Sequence, residues 1–405
     1  MPLATSNRLS VRIKKEAVFG TPVSASACYA LRVTGESLNF SIGTDISKEI
    51  RSDRQVTDLI VTSATADGGL PFELSYAEYD SLIESVLQGV WATFGTNGVS
   101  AVIPTSATFA SNTLTAGAAT SGVNLFTNLV LGQWVKIAGS TNPLQNIWAQ
   151  VSLSVAPTST VLTLQGTPFA AATGSGGAAV TVAGSRLING VTQSSFTLEE
   201  NFGDVAQTLT FTGMTPNKMS MNMQSGSILN GSFDFMGKVM TSQVGTLLNA
   251  TVTASTANQV MNSVNNIVNV LEGGAVLANT FIKTLTIDAM NNLRGQDGIG
   301  TLGNVGVGAG MFEVSGNINF YFADANIYQK FLNNTNTSLS FRVNDTNLNG
   351  YVITFPNVKY SDAKIDSGAG NQDVMVTMTY KALRDTVTGS TMIIDRAGIA
   401  VVPTP

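Results

Sequence analysis

The chain has 405 residues, of which 12% are charged, with a formal net charge of −5 and no histidine. The lack of histidine excludes catalytic triads that use a His base, and it excludes His-ligated metal sites. Cys28 is the only cysteine, which excludes an intramolecular disulfide and a cysteine-ligated zinc site. The acidic balance disfavours a protein that grips phosphates, because that affinity comes mostly from Lys and Arg.

The first segment, 1–28, is predicted to be an N-terminal arm that contacts an adjacent subunit. Basic residues interrupt its apolar runs, so we expect no signal peptide, and no stretch of the chain is apolar for long enough to insert into a membrane. Residues 8–22, RLSVRIKKEAVFGTP, alternate weakly, which favours a strand added to an open sheet edge. Deleting 2–20 is expected to leave a folded protein that assembles poorly. The predicted arm contacts are Arg8, Arg12, Lys14, Lys15 and Glu16.

Charge is concentrated in one short stretch, 47–59, with the sequence SKEIRSDRQVTDL. Six charged side chains fall there within eleven residues, in a chain that is otherwise sparing with charge. A catalytic site, a nucleic-acid patch, an assembly contact and a solvated loop without a partner are the alternatives that the stretch alone leaves open. The six residues are Lys48, Glu49, Arg51, Asp53, Arg54 and Asp58.

A strand followed by an amphipathic helix is predicted over 68–89. Apolar residues alternate from Leu70 to Leu74, which is typical of a half-buried strand. The residues that follow place apolar side chains on one face of a helix. Ser75 with Glu78 is expected to form a capping box at the start of that helix. The apolar helix face consists of Tyr79, Leu82, Ile83, Val86 and Leu87.

The region 95–185 is predicted to be a small all-β domain inserted into a larger one. Lys136 is its only charged residue, and short apolar stretches alternate with turn residues throughout. The stretch NIWAQVSL at 146–153 has the period of a half-buried strand. Trp134 and Trp148 are expected in the core of this domain, with a carbohydrate-stacking surface as the alternative.

One module is predicted to occur twice. Residues 207–238 align without a gap to 351–382, and 68–89 resemble 315–336, where a glycine and alternating apolar residues again precede a helix. Two independent matches in the same order favour duplication. The predicted fold class is mainly β, each module being a β-sandwich or half-open barrel with one flanking helix. The predicted divisions are an N-terminal arm at 1–28, a first module at 29–94 and 186–238, the inserted domain at 95–185, a connector at 239–275, a second module at 276–390 and a C-terminal tail at 391–405.

Two patterns could carry chemistry, and both have simpler interpretations. The stretch GQDGIGTLGNVGVGAG at 295–310 lacks the Lys-Ser/Thr of a P-loop, so a long flexible loop is predicted. Two carboxylate pairs, Glu199 with Glu200 and Glu49 with Asp53, could serve acid–base chemistry. Surface solvation or an intersubunit ion pair is favoured for them, because nothing else indicates a cleft. The sequence therefore predicts no enzyme, no cofactor and no metal site.

Seven segments, taken in order along the chain, carry a family resemblance. They are RIKKEAVFGTPV (12–23), LRVTGESL (31–38), SKEIRSDRQVTDL (47–59), FELSYAEYDSLIESVLQGVW (72–91), GQWVKIAG (132–139), LTLQGTP (162–168) and SFTLEENF (195–202). Together they resemble the tail tube (major tail) proteins of long-tailed bacteriophages, and more narrowly the branch with an EIRSDRQ-like N-terminal region. The resemblance implies that each of the two modules predicted from the repeat is a tail-tube module, a β-sandwich with a flanking helix. It also implies that the chains assemble as rings that stack into a hollow tube.

The resemblance implies a structural virion protein whose tube is the conduit for genome DNA. The implied partners are further copies of the chain, a tape measure protein in the lumen, and terminator and distal tail proteins at the tube ends. DNA would pass without specific binding. The implied location is the virion, after assembly in the host cytoplasm. The alternatives are another tube-fold protein, such as a tail terminator or a secretion-system tube, and a carbohydrate-binding or hydrolytic virion protein.

In proteins of this kind a long loop between early strands reaches the next ring, and 42–66 occupies that place. The charged stretch is therefore predicted to be an inter-ring contact that sets rotational register, because wrong alignments would juxtapose like charges. The family usually has one module per chain and six chains per ring. Two modules per chain predict a trimeric ring with pseudo-sixfold symmetry rather than a hexamer.

Overall fold

Strands dominate the structure, a computed structural model, and the predicted mainly β fold class is confirmed. Two short α-helices are present in the described residues, and no helix among them has the length and apolar character needed to cross a membrane. The structure describes residues 3–23, 27–92, 94–95, 99–103, 106–117, 125–177, 180–248, 251–277, 281–323 and 325–398.

The elements are numbered in chain order. The chain starts with β1 (Leu9–Lys15), β2 (Ala27–Leu31), β3 (Asn39–Ile46), β4 (Leu59–Glu73) and α1 (Asp80–Leu87). Next come β5 (Phe94–Gly95), β6 (Val99–Ile103), β7 (Ala107–Ser111), β8 (Thr113–Ala116), β9 (Trp134–Ala138), β10 (Trp148–Gln150), β11 (Val161–Thr163), β12 (Phe169–Ser175) and β13 (Val180–Ala183). They are followed by β14 (Ser185–Ile188), β15 (Phe196–Phe202), β16 (Gln207–Gln224), β17 (Asn230–Gly237), β18 (Val239–Val244) and β19 (Thr251–Thr253). The last are β20 (Ile267–Glu272), β21 (Ala275–Val276), β22 (Ile282–Met290), β23 (Arg294–Gln296), β24 (Gly306–Gly308), β25 (Glu313–Tyr321), α2 (Asn326–Leu332), β26 (Thr337–Asn344), β27 (Gly350–Asp366), β28 (Met375–Ala382) and β29 (Ile393–Ala397).

Eight strands form one continuous antiparallel sheet, which we call the shared sheet because each half of the chain contributes four of them. Its order is β3–β4–β17–β16–β22–β25–β28–β27. One face carries the apolar side chains, among them the buried Phe72, Met221 and Ile318. Because side chains alternate along each strand, the other face is left to polar residues.

Two outer sheets complete the fold, and the long strands β16 and β27 each pass from an outer sheet into the shared sheet. The first outer sheet has the order β19–β2–β1–β15–β16–β18. The second has the order β21–β20–β26–β27–β29–β14. The main hydrophobic core unites Leu198 of an outer sheet with Phe72 and Ile318 of the shared sheet, so it runs through both halves of the chain.

A β-bulge marks the equivalent place in both long strands. The register of β16 with β17 skips Asn217, and the register of β27 with β28 skips Ser361. These residues lie 144 positions apart, which is the offset of the sequence repeat. A bulge bends a strand, and here it falls where each long strand enters the shared sheet. The repeated pairings support a first module (β1–β4, α1, β14–β19) and a second module (β20–β29, α2), a division that remains our interpretation.

The structure differs from the predicted divisions in three places. The predicted arm contains β1, which pairs with β15 of the same chain and buries Val11 and Ile13. The predicted connector, 239–275, begins with β18 and ends with β20 and β21. The predicted tail, 391–405, contains β29, and its residues 399–405 lie outside the described residues. Each segment is short or polar in sequence, and part of its pairing is with a strand far along the chain: β1 pairs with β15, β20 with β26, and β29 with β14.

The described part of the inserted domain has two sheets and a hydrophobic core of its own, with the orders β10–β9–β13–β6–β5 and β11–β8–β7–β12. The expected place of its tryptophans is wrong. Trp148 lies outside that core, in a separate cluster with Val352 and Ala397 of the second module, and Trp134 packs against the same cluster. The indole N–H of Trp148 donates a hydrogen bond to the carbonyl oxygen of Leu348 at 2.9 Å. The two side chains therefore join the inserted domain to the second module.

The helix α1 begins without the predicted capping box. Its first residue is Asp80, and no side chain caps the preceding turn. Ser75 lies buried in an isolated β-bridge instead. Glu78 accepts hydrogen bonds from the backbone N–H groups of Arg32 at 2.9 Å and Thr256 at 2.7 Å. Glu78 therefore anchors the segments that precede β3 and follow β19.

A buried polar network ties α1 to the second module. The Asp80 carboxylate accepts a hydrogen bond from the Tyr351 hydroxyl at 2.6 Å and forms an ion pair with Arg396. The Arg396 guanidinium lies over the Trp91 ring, 4.1 Å from its centroid. The Tyr351 hydroxyl accepts from the backbone N–H of Ala77 at 2.8 Å. Burial and then the charge of Asp80 raise the pKa of Tyr351, so its hydroxyl stays protonated and donates.

Candidate assembly surfaces

The hairpin of β3 and β4 projects beyond the core. Going from the core towards the hairpin end, Phe40 and Ala66 are the last two directly opposite residues that pack in the main core. The pairing continues outward, and the Ser47 N–H donates to the Asp58 carbonyl oxygen at 3.1 Å. Seven residues of extended strand span about 24 Å beyond that core pair. Every residue from 48 to 61 is exposed. An isolated two-stranded hairpin is at best marginally stable in water, so this one favours a partner.

The six residues predicted as inter-ring contacts all lie exposed at the end of this hairpin. Arg51 and Asp53 form a bidentate pair, with Nη2–Oδ2 at 2.8 Å and Nε–Oδ1 at 3.0 Å. The hydrogen bond from Arg51 lowers the pKa of Asp53. In the described part of the chain, Lys48, Glu49 and Arg54 have no ion-pair partner. The hairpin end therefore offers unpaired charges of both signs.

Large aliphatic side chains on the same hairpin are also exposed, and sequence reasoning missed them. Their exposed fractions run from 50% to full exposure. Exposed apolar surface of this extent marks interaction sites. The sequence alone carries no clear signal for them, because aliphatic residues beside polar ones also occur in ordinary half-buried strands. The residues are Ile42, Ile46, Ile50, Val56, Leu59, Ile60 and Val61.

The shared sheet ends in two open edges. One is the outer side of β3, and the other is the outer side of β27 from residue 362 onward. Neither edge has a strand partner among the described residues. Unpaired edges readily add a strand from another chain. The β27 edge carries the exposed ion pair of Lys364 with Asp366, 3.5 Å long, and charges of this kind discourage unspecific pairing.

The polar face of the shared sheet carries many short neutral side chains. Hydrogen bonds cross it between strands, such as Asn319 Nδ2 to Thr377 Oγ1 at 2.7 Å. Its charges include both signs, as in the ion pair of Lys218 with Asp288 at 2.7 Å. The neutral residues are Thr65, Ser220, Asn222, Ser232, Thr284, Thr286, Ser315, Asn317, Asn319, Thr377 and Thr379. Such a face presents no concentrated positive charge to a polyanion.

The glycine-rich stretch 295–310 contains one strand and part of another of a small hairpin, β23 with β24, rather than a flexible loop alone. The hairpin's connecting loop packs against the first module. The side-chain N–H of Asn304 donates to the carbonyl oxygen of Gly237 at 2.7 Å. Gly303 has a φ of +82°, and a Cβ there would stand 2.4 Å from the carbonyl oxygen of Lys238. A glycine is therefore needed at this contact for steric reasons.

Two of the predicted arm residues find ion-pair partners inside the chain. Arg12 lies 3.8 Å from Glu199, measured Nη1 to Oε2. Lys15 lies 3.7 Å from Glu84, measured Nζ to Oε1. These contacts hold β1 against β15 and α1, so residues 9–15 do not form a free arm in this structure.

A third predicted arm residue, Glu16, is buried and accepts four hydrogen bonds. The donors are the hydroxyls of Ser195 (2.7 Å) and Thr197 (2.9 Å) and the backbone N–H groups of Gly20 (2.8 Å) and Gly213 (2.9 Å). A buried carboxylate with four donors fixes the turn that ends β1. Contact of Arg8 and Lys14 with a neighbouring subunit stays a prediction.

Glu199 and Glu200, which were expected at the surface or in an intersubunit ion pair, are both buried, with 0% and 2% of their surface exposed. They lie on β15 between β1 and β16. Glu199 faces Arg12 and accepts from the backbone N–H of Leu248 at 3.2 Å. Burial, and then the hydrogen bond and charge of Glu36, raise the pKa of Glu200 to about 8.

The comparisons with known proteins bear on the whole of this architecture. A protein-family model described as phage tail tube protein matches residues 6–382, which include the inserted domain and all strands of both modules except β29. No curated protein matches the chain significantly. The family match spans nearly all the described residues. The fold of these residues is mainly β, with open sheet edges and a projecting hairpin. The chain therefore belongs to the phage tail tube protein family and is a structural component of the phage virion.

Proposed function

We propose that copies of this chain close into rings and that the rings stack into the tail tube, through which genome DNA passes during infection. The observation that carries this proposal is the shared sheet, which has two open edges and one polar face. A sheet with both edges open can extend through identical copies until the arc closes on itself, and closure removes the edges.

The ring is proposed to contain three chains. Each chain supplies two modules and eight strands to the sheet, so three chains would provide the six modules that the resembled family assembles in a ring. The symmetry would be threefold in chains and close to sixfold in modules. The two modules differ in their long loops, because one is the charged hairpin and the other packs on the first module. Contacts between rings should therefore alternate in kind around the circumference.

The polar face of the shared sheet is proposed to line the lumen. Short neutral side chains and charges of both signs would neither hold nor strongly repel the phosphate backbone, and affinity for that backbone depends mainly on Lys and Arg. Before ejection the same lumen would hold a tape measure protein. Tail terminator and distal tail proteins would bind the two ends of the tube, after assembly in the host cytoplasm.

The hairpin of β3 and β4 is proposed to contact the next ring. The aliphatic side chains that are exposed in the single chain would be buried on contact with the next ring. Burial of apolar area is the main favourable term in association. The unpaired charges at its end would set the rotational register, because a misaligned neighbour would meet like charges. The aliphatic residues and the charges therefore act together, with affinity from the former and register from the latter.

Electron microscopy of the purified protein at high concentration tests the proposal. The expected result is stacked rings that grow into tubes with a central channel. Rings that never stack would favour a tail terminator over a tube subunit. A protein that stays monomeric at every concentration, ionic strength and temperature tried would contradict both.

A further inference from the structure

We propose that the junction between chains in the ring repeats the junction that joins the two modules inside one chain, so that residues 362–368 of one copy pair with residues 35–41 of the next in one antiparallel register. This inference rests on the proposed ring. It goes further by naming the partners residue by residue, and it can fail while the ring itself stands.

The template is the pairing of β16 with β22. It runs from Lys218 opposite Met290 to Gln224 opposite Thr284. On its core face Met219 lies opposite Ala289 and Met221 opposite Ile287, and all four side chains are at most 4% exposed. In the order of the shared sheet, the first module's strand that borders the second module is thereby joined to the neighbouring strand of that module, with no gap in the core.

The strand of the second module that is equivalent to β16 is β27. The bulges in the two strands show which of their residues correspond. Asn217 is skipped in one strand and Ser361 in the other, 144 positions apart. Met219 therefore corresponds to Ala363, and Met221 to Ile365. The outer side of these β27 residues is the open edge.

The first module's equivalent of β22 is found by following the directly opposite residues from strand to strand across the shared sheet. Met219 lies opposite Phe233, which lies opposite Leu70. In the second module Ala363 lies opposite Met378, which lies opposite Ile318. Leu70 therefore corresponds to Ile318, an offset of 248 positions.

One further step reaches the edge. With that offset, Ala66 corresponds to Val314. Ala66 lies opposite Phe40, and Val314 lies opposite Ala289. Phe40 thus corresponds to Ala289, and Leu38 to Ile287. Residues 35–41 are therefore the first module's equivalent of the strand that seals the template. Of these, 39–41 lie in β3, and 35–38 precede it and continue the contact with β4 through the hydrogen bond from the Ser37 N–H to the Gly69 carbonyl oxygen at 3.0 Å.

Combining the two correspondences gives the register between chains. On the core face Ala363 would lie opposite Phe40, and Ile365 opposite Leu38, of the next copy. On the polar face Lys364 would lie opposite Asn39. The acidic residues of the edge, Asp362 and Asp366, would face Ser41 and Ser37, so that no pair of like charges is formed.

The exposure of these residues supports the junction. Ile365 is 38% exposed, whereas Met221 at the equivalent place in the template is 4% exposed. Phe40 and Leu38 are only partly buried and lie at the margin of the main core. Pairing would bury them as the template buries Ala289 and Ile287. A second copy of the chain is therefore the occupant that completes both edges.

Cysteine cross-linking tests the register. Directly opposite residues of an antiparallel pair have Cα atoms about 4.5 or 5.5 Å apart in alternation, and disulfides span about 4.4–6.8 Å. We would combine Ile365→Cys with Leu38→Cys, and Lys364→Cys with Asn39→Cys, which samples both kinds of pair. The native Cys28 is fully buried and does not compete. The control is Ile365→Cys with Asn39→Cys, whose side chains would point to opposite faces.

The expected result, after mild oxidation of assembled rings, is a ladder of covalent oligomers for at least one matched pair, at ten or more times the yield of the control. Each single-cysteine variant should assemble normally, since these positions lie at edges. Rings seen by electron microscopy in which the control links as well as the matched pairs, or no matched pair links, would overturn the register and leave the ring proposal intact. Absence of rings in the unsubstituted protein would overturn both.

Discussion

Removing Arg396 should weaken the whole fold, because its charge compensates a carboxylate at the seam between the modules. In Arg396→Met the methionine keeps much of the side-chain volume but loses the ion pair with Asp80. Asp80 is 1% exposed and Arg396 is 5% exposed. The substitution thus leaves a buried charge with the Tyr351 hydroxyl, at 2.6 Å, as its remaining side-chain partner.

The size of the effect follows from that burial. Removing one partner of a buried ion pair typically costs about 3–5 kcal/mol of unfolding free energy, whereas replacing both partners with neutral groups costs far less. We therefore expect Arg396→Met to lose about 3–5 kcal/mol of unfolding free energy. The double variant with Asp80→Asn should recover a large part of that loss. Tyr351→Phe should cost about 1–3 kcal/mol, since it leaves the Ala77 N–H and one Asp80 oxygen without a partner.

Urea unfolding, followed by tryptophan fluorescence, measures these differences. Trp91 reports on the site directly, because the Arg396 guanidinium lies 4.1 Å from its ring centroid. A single transition shared by fluorescence and circular dichroism would indicate that the modules unfold together. A loss below about 1 kcal/mol for Arg396→Met, or a double variant no more stable than the single one, would refute the reasoning.

Three further outcomes are expected. The double charge reversal Arg51→Glu with Arg54→Glu should leave the monomer's melting temperature unchanged and prevent tube growth, with Arg384→Glu as an exposed control; normal tubes from the double variant would count against the hairpin contact. Deleting 2–20 removes β1 from its sheet, so we now expect a chain that fails to fold, as judged by circular dichroism; a folded, assembly-defective product would restore the free arm. Because the pKa of Glu200 is raised from 4.5 to about 8, the folded state favours its protonated form, and its contribution to stability is lost as pH rises from about 4.5 through 8. Glu200→Gln should flatten that pH dependence and gain on the order of 4 kcal/mol at pH 9 in denaturant titrations; a variant with the unchanged pH profile would contradict the assignment.

The sequence predicts the parts of the fold in which apolar and polar residues alternate regularly over a long segment. The repeat was visible because apolar and polar residues alternate in the same way along β16 and β27. The structure adds a bulge at the equivalent position of both strands, at Asn217 and at Ser361. The strand β1 was misread as an arm because its outward face carries Arg12 and its partner Glu199 lies far along the chain. Long-range ion pairs of this kind leave no periodic trace in a single sequence.

The candidate site was predicted in part. The exposed charges of 47–59 stood out because the chain has so few others. The aliphatic residues beside them, such as Ile46 and Leu59, read as ordinary strand residues, because sequence alone does not show that a hairpin leaves the core. The burial of Glu200 was equally invisible, since a carboxylate with a raised pKa has no signature in composition.

The mass of isolated rings tests the central claim most directly. Native mass spectrometry of rings released from tubes should give three chains of 42.3 kDa each, about 127 kDa, with threefold symmetry in the corresponding reconstruction. That result would mean that both modules of every chain line the lumen. Six chains per ring, about 254 kDa, would contradict the account, because the shared sheet would then supply twelve modules where the proposed ring has room for six.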